Sequence, residues 1–191
     1  LSINSIALAA GESYVPQNDM HHFNQVVFTS EATLLTFSGK TCEISGNAIV
    51  DTDNLDKSSG DIKIDLSTID TGIEKRNNHM KEVLEVNKYP FAVFKLDELK
   101  GTKNVLAPNK STKVLATGNI TIHGVTKPLK TLLTLKYMPE MDKMFRQGDW
   151  VALKANFDIK MSDFGINPPK MLAMKVSNKI NIDVDVMAMK K

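Results

Sequence analysis

The histidines are the residues of this chain whose type and spacing best suit catalysis or metal binding. The four are His21, His22, His79 and His123. His21 and His22 are adjacent, so on a strand they would point to opposite faces, which is a poor start for a metal site. The sequence contains no HExxH motif and no Cys/His cluster. We therefore predict no metal site, although folding could still bring His79 and His123 to a carboxylate.

Motifs of nucleophilic and phosphate chemistry are also missing. The sequence has no GxSxG elbow and no glycine-rich phosphate loop of either standard spacing. Its one cysteine, Cys42, cannot form an internal disulfide. These observations predict a protein with no catalytic residues and no cofactor, which is not an enzyme. The alternative from the enzyme class is a small enzyme that acts on an apolar substrate through His79 and His123.

Length and charge describe an ordinary folded protein. The chain has 191 residues, of which 42% are hydrophobic and 24% charged, and this length fits one domain. Its formal net charge is +2, and the only arginines are Arg76 and Arg146. Nucleic-acid binding proteins usually carry a basic surface rich in arginine. Because this chain is nearly neutral and has two arginines, we predict no nucleic-acid partner.

The first ten residues differ in character from the rest. They form an apolar run that ends in Ala7-Leu8-Ala9, which matches an A-x-A cleavage pattern. We predict that residues 1–10 are the remnant of a signal peptide, that residues 11–191 form a single domain, and that the protein is periplasmic or secreted. No later stretch approaches the ~18 consecutive apolar residues of a membrane-spanning helix, so we predict no transmembrane segment and at most transient membrane contact.

The remaining pattern has period two. Apolar and polar residues alternate in segments around 42–50, 61–67, 92–97, 116–123, 129–136, 151–160 and 180–186, with one or two more strands in 26–39. Each segment indicates a strand with one dry and one wet face, which is typical of antiparallel sheets. We predict an all-β fold, an antiparallel barrel of about eight strands, because closure removes exposed sheet edges. A two-sheet sandwich is the competing architecture.

One interval changes period. Ile73, Met80, Val83 and Leu84 fall at helical spacing, so we predict one amphipathic helix over 73–86 that caps an end of the barrel. The polar stretches Lys100–Lys113 and Pro139–Asp149 are predicted hairpin connections. The stretch 162–169 ends in two prolines, which forbid a central strand there.

The dry faces of the strands carry several alanines and glycines. Small inward residues can leave room for a ligand inside a closed barrel, and apolar cavities accept apolar guests. The alternative is ordinary packing, in which small residues face large ones. The candidate lining residues of such a cavity are Ala48, Ile64, Phe94, Leu96, Ala116, Gly118, Leu133, Ala155, Phe157 and Val184. Met80 and Leu84 are predicted to gate its mouth, with Phe164 and Met171 near it.

Specific runs of residues resemble a known family. They are Ser67–Gly72, Arg76–Met80, Lys88–Phe94, Thr117–Pro128 and Ser162–Ile166, in order and at matching spacing from about residue 22 to 187. Together they resemble the YceI-like family of periplasmic polyisoprenoid-binding proteins. The chain departs from the family pattern at Asn77 and Met80, where the family usually has Asp and Leu.

The resemblance implies an extended, lipocalin-like antiparallel barrel with a helix at one end and a long isoprenoid or other fatty chain in its interior. It also implies export and no catalytic residues, and it makes Arg76, His79 and His123 candidates for contact with the ligand head group or for a structural role. We expect non-catalytic transport or storage of a polyisoprenoid, an isoprenoid quinone or a fatty-acid amide, and a homodimer is one assembly that the protein could form. The alternative without a ligand is an adhesion or interaction barrel at the cell surface.

Overall fold

A computed structural model of the chain describes residues 11–17, 23–32, 35–101, 104–141, 147–167 and 176–191. Within them lie ten strands, one α-helix and three short 3₁₀ helices. The strands are β1 (Glu12–Pro16), β2 (Gln25–Ala32), β3 (Leu35–Thr41), β4 (Ile44–Val50), β5 (Ser59–Asp65), β6 (Phe91–Gly101), β7 (Ser111–Ile122), β8 (Val125–Met141), β9 (Gly148–Lys160) and β10 (Lys179–Lys190). The α-helix, α1, is Glu74–Val83, and the 3₁₀ helices are Leu55–Lys57, Leu66–Thr68 and Met161–Phe164.

Eight of the strands close into a barrel. Their order is β1-β4-β5-β6-β7-β8-β9-β10, and β1 completes the circle because it pairs with both β4 and β10. Every strand pairing is antiparallel. The two extra strands, β2 and β3, form a hairpin that joins the wall through β2 and the first half of β10. The predicted all-β barrel of about eight strands is confirmed, and the sandwich is not what the chain forms.

β10 therefore changes partner along its length. Its last residues pair with β1 and its first residues with β2, which leaves a junction near Met187. Asn24, 2% exposed, fills this junction: its Oδ1 accepts from the Met187 N–H at 2.6 Å, and its Nδ2 donates to the Gln17 carbonyl at 2.8 Å. One amide side chain thus supplies the hydrogen bonds that a continuous neighbouring strand would have made.

The alternation seen in the sequence places the apolar faces inside the barrel. The hairpin between β7 and β8 turns through His123 (φ 53°) and Gly124 (φ 73°), and positive φ at both central residues is the geometry that suits a two-residue hairpin. In β6 a bulge between Leu96 and Glu98 shifts the phase, so Leu99 also faces inward and is 3% exposed.

The helix is shorter than predicted. It ends at Val83, three residues before the predicted boundary, because Glu85 adopts a left-handed conformation with φ 46°. The Glu85 N–H then donates to the Glu82 carbonyl and the Val86 N–H to the Lys81 carbonyl, the paired bonds of a Schellman motif. No helix among the described residues has the length and apolar character needed to cross a membrane.

The predicted connections are also shorter than expected. β6 continues to Gly101 and β7 begins at Ser111, while β8 continues to Met141 and β9 begins at Gly148. The stretch after β9 holds a 3₁₀ helix, Met161–Phe164. The signal-peptide prediction for residues 1–10, together with His21, His22, Arg146 and Met171, lies outside the described residues.

Candidate ligand-binding site

The barrel encloses a cavity of about 1340 Å³. Ligand pockets usually measure roughly 300–1,000 Å³, so this one is large. Its wall is mainly apolar and is made by the inward side chains of the strands. The predicted lining residues that form part of it are Ala48, Ile64, Phe94, Leu96, Leu133, Ala155, Phe157 and Val184, with Met80 and Leu84 at the helix end.

Small residues in matched positions explain where the space comes from. Ala48 on β4 lies directly opposite Gly60 on β5, and Ala155 on β9 lies between Leu133 on β8 and Val184 on β10. Residues opposite each other in an antiparallel sheet share a face, so a small pair leaves a hollow that larger residues would fill.

Three predicted lining residues are not on the cavity wall, although all three face the interior. Ala116 is 0% exposed and packs beside Leu99 in the core of the barrel. Gly118 lies under the ring of Phe94, whose Cζ would be 2.6 Å from a Cβ at that position. Phe164 is buried with Ile120 and Ile122 instead of at the mouth. None of the three borders the cavity in this structure, and their contact with a bound guest stays a prediction.

Part of the cavity wall was not predicted from the sequence. Tyr14 on β1, Phe28 on β2 and Phe37 on β3 line the cavity. The rings of Phe28 and Phe37 meet edge to face, with centroids 6.1 Å apart. The two phenylalanines belong to segments that were recognised as strands, whereas β1 carries too few residues to show a period.

A plug of loop side chains seals the end of the barrel far from α1. Leu55 and Leu106 are 0% and 1% exposed, and the loops that carry them are tied together because the Leu55 N–H donates to the Asn104 carbonyl and the Leu106 N–H to the Thr52 carbonyl. Neither leucine lines the cavity, whereas Leu99 and Val50, in the same core cluster, do. The plug therefore lies behind the last layer of lining residues.

Polar groups cluster at this sealed end. Lys190 Nζ lies 2.9 Å from Glu12 Oε1 and 4.0 Å from Asp149 Oδ2, and the Tyr137 hydroxyl donates to Asp149 Oδ2 at 3.3 Å. Burial raises the pKa of Tyr14, and the charges of Tyr137, Asp149 and Glu12 raise it further. The phenol of Tyr14 is therefore held neutral.

At the opposite end α1 lies over the cavity but does not close it, so the cavity is open to the surface beside the helix. No residue of α1 is buried, and exposed residues of this region, Ile73, Glu74, Lys75, Asn78 and Glu82, line the cavity. Below the helix, Met80 and Leu84 pack on a small cluster of Leu66, Ile69 and Val86. The cavity therefore reaches solvent beside a helix that makes few buried contacts.

Hydrogen bonds fasten the start of α1. Asn77 Oδ1 accepts from the Thr71 N–H at 2.8 Å and from the Thr71 hydroxyl at 2.6 Å, and Asn77 Nδ2 donates to Asp70 Oδ1 at 2.8 Å. The Gly72 N–H also donates to Asp70 Oδ1 at 2.8 Å. These bonds from Gly72 and Asn77 hold the pKa of the Asp70 carboxyl below its ordinary value. Asn77 thus takes a structural part where the family pattern usually has Asp.

Arg76 and His79, two of the candidates for contact with the ligand head group, lie at the open end. Arg76 lines the cavity, donates from Nε to the Thr71 hydroxyl at 2.9 Å, and holds its guanidinium 5.0 Å from the centroid of the Phe37 ring. His79 also lines the cavity; its Nδ1 lies 3.8 Å from Glu82 Oε2, and its Nε2 is buried without a hydrogen-bond partner in the described part of the chain. Both side chains can therefore meet the polar end of a guest.

His123 occupies a different place. Its Nδ1 donates to the Phe164 carbonyl oxygen at 3.1 Å, and its ring meets the Tyr89 ring edge to face at 4.9 Å. Its Nε2 lies 3.5 Å from Glu85 Oε1, longer than a good hydrogen bond. The residue does not line the cavity. It joins the β7–β8 turn to the 3₁₀ helix after β9 and to the segment after α1.

These distances bear on what chemistry the site could do. A His–carboxylate pair working as a general base needs hydrogen-bond contact, about 2.6–3.2 Å, although such contacts are often longer before substrate binds. The His79–Glu82 and His123–Glu85 separations, 3.8 Å and 3.5 Å, both exceed that range. Among the described residues no group of three His, Cys, Asp or Glu side chains could hold a metal ion.

The fold and the site define a class: a closed antiparallel barrel with a deep apolar cavity, sealed at one end and covered by a helix at the other. The sequence pattern of the YceI-like domain matches residues 18–188. The chain belongs to the YceI-like family, as the resemblance in the sequence indicated.

Relatives of known name are similar to this chain over part of their length. A UPF0312 protein of Pseudomonas aeruginosa is 31% identical over 136 residues, which cover 67% of this chain and 62% of that protein. Protein YceI of Salmonella arizonae is 30% identical over 132 residues, which cover 65% of this chain and 60% of its own length. The chain thus matches less than two thirds of the length of these relatives.

Solved structures share the fold at lower identity. BcnA of Burkholderia cenocepacia superposes with a TM-score of 0.72 at 18% identity, over 91% of this chain and 100% of that one. A polyisoprenoid binding domain from Saccharophagus degradans, implicated in plant cell wall breakdown, gives a TM-score of 0.72 at 17% identity, over 95% and 99% of the two chains. At these identities the likeness establishes the architecture.

Proposed function

We propose that this protein binds one long apolar chain inside the barrel and carries or stores it, without chemical change, in the periplasm or as a secreted protein. The candidate guests are a polyisoprenoid, an isoprenoid quinone or a fatty-acid amide. The observation that carries the proposal is the cavity of about 1340 Å³ with an apolar wall and a single sealed end. The binding of polyisoprenoid by the similar domain from Saccharophagus degradans supports the choice of guest.

Burial of the guest supplies the affinity. Each methylene that leaves water for the cavity contributes roughly 0.8 kcal/mol, and part of this is lost to the ordering of a flexible chain. A long linear guest would lie along the barrel axis, with its tail toward the sealed end. Its polar end would then lie at the open end, near Arg76 and His79, where a hydroxyl, amide or quinone oxygen could accept a hydrogen bond.

The test is direct identification of the guest. The protein is purified from its native host under mild conditions, denatured, and extracted with organic solvent for mass spectrometry. We expect one long-chain lipid in stoichiometric amount. An empty extract, repeated after incubation with membrane lipids, would contradict the proposal and leave the interaction barrel without a ligand as the better account.

A matched pair of variants makes the test specific to the cavity. Ala155→Phe places a ring in the lumen of β9, whereas Ala152→Phe adds the same ring on the other face of the same strand. Bound lipid should fall severalfold in Ala155→Phe and stay at the level of the unaltered protein in Ala152→Phe. Equal lipid content in both variants would show that the guest lies outside the barrel.

A further inference from the structure

One residue of the cavity wall stands apart by size and position. Tyr14 on β1 is 2% exposed and is the largest of the fully buried side chains in the described residues. Its neighbour Ser13 points outward, where its hydroxyl donates to Asn47 Oδ1 at 2.7 Å. Because successive residues of a strand point to opposite faces, Tyr14 points into the lumen, and it is part of the cavity wall.

The row of residues level with Tyr14 is otherwise mostly small. Across the neighbouring strands Tyr14 lies opposite Ala48, Ala48 opposite Gly60, Gly60 opposite Leu96, and Leu96 opposite Gly118. Residues in such a row share one face of the sheet. The Tyr14 ring therefore occupies space that its small neighbours on β4 and β5 leave empty.

Tyr14 belongs to the core cluster at the sealed end of the barrel, together with Val50 and Leu99, and all three line the cavity there. Behind this level lie Leu55 and Leu106, the plug of the sealed end, which belong to the same core cluster as Tyr14. Tyr14 thus stands between the open cavity and the plug.

We propose that Tyr14 is the residue that sets the length of the chain the barrel accepts. The inference rests on the proposed function, since it assigns the stop for the tail of the guest. A tail that enters from the helix end runs along the lumen until it meets the Tyr14 ring. Removing the ring would add its volume to the cavity beside Ala48 and Gly60, which already line it, and would admit a longer tail. Adding bulk at Ala48 would stop the tail earlier.

The experiment compares the lengths of bound chains. Delipidated protein is incubated with an equimolar series of linear prenols of increasing length, and native mass spectrometry measures which lengths are retained. For Tyr14→Ala we expect the maximum of the retained lengths to shift to longer prenols, and for Ala48→Leu to shorter ones. Tyr14→Phe keeps the ring and removes only the hydroxyl, so its distribution should match that of the unaltered protein.

The outcomes separate this inference from the proposed function. If the unaltered protein retains no prenol, the proposed function fails and the inference fails with it. If it retains prenols, and Ala48→Leu shows the same lengths as the unaltered protein, Tyr14 does not mark the end of the path and the inference alone is overturned. Because Ala48→Leu keeps the Tyr14 ring, this result stands even where Tyr14→Ala does not fold.

Discussion

The two ends of the barrel are built on opposite principles. At the sealed end Leu55 and Leu106 are fully buried, and backbone hydrogen bonds tie their loops together. At the helix end no residue of α1 is buried, and Ile73 before it is 52% exposed. The sealed end is packed like a protein core, whereas at the helix end α1 buries none of its residues and its start is fastened by the hydrogen bonds of Asp70, Thr71 and Asn77.

This difference suits a container with one entrance. Elements with few buried contacts open locally at lower free energy than the packed core, and ligand entry uses such elements. Movement of α1 would expose the cavity without disturbing the barrel, because the strand pairings do not involve the helix. The packing of the sealed end can then be assigned to the stability of the barrel, and α1 to the entry of the ligand.

The largest expected effect is at the sealed end. Leu55→Ala should lower the free energy of unfolding by about 2–5 kcal/mol, because it leaves a void among fully buried side chains. Leu84→Ala is the matched change at the helix end, where the side chain is half-buried and already borders the cavity, and it should cost much less. Urea unfolding measures both. Similar losses for the two variants would break the contrast between the ends.

A smaller effect is expected at the wall between the two ends. Asn24→Ala should cost about 1–3 kcal/mol, because the Met187 N–H loses the acceptor that Asn24 Oδ1 provides in a buried junction. Asn78→Ala, on the exposed face of α1, is the control and should change stability by no more than about 0.5 kcal/mol. If thermal unfolding shows no loss for Asn24→Ala, the change of partner along β10 does not depend on this side chain.

The sequence predicted the strands and their inward faces better than it predicted what covers each residue. Period two is a backbone property, so the inward positions of β7 followed directly from the alternation of Ala116 and Gly118 with polar residues. Whether an inward residue touches the cavity depends on its neighbours across the sheet. The Phe94 ring over Gly118 and the core beside Ala116 are contacts between strands, and one strand's sequence does not contain them.

Other features were missed for physical reasons of the same kind. β1 is five residues long and ends in Pro16, so it shows no period, and only its pairing with β4 and β10 makes it a strand. The bulge in β6 changes the phase between Leu96 and Leu99 without a glycine to announce it. The helix ends on Glu85 in a left-handed conformation where the usual signal, a glycine, is absent.

The smallest effect concerns the fastening of the helix end and depends on pH. The hydrogen bonds from Gly72 and Asn77 lower the pKa of Asp70, so the ionised carboxylate favours the folded state. This contribution is present above the ordinary Asp pKa of about 3.9 and is lost as pH falls through the lower folded value. Asp70→Asn should therefore lower the melting temperature slightly near neutral pH, and the difference from the unaltered protein should shrink as pH falls below the ordinary Asp pKa. A difference that stays constant across this range in a melting series would show that the charge of Asp70 does not fasten α1. The neutral hydrogen bonds of Thr71 and Asn77 would then hold the start of the helix independently of pH.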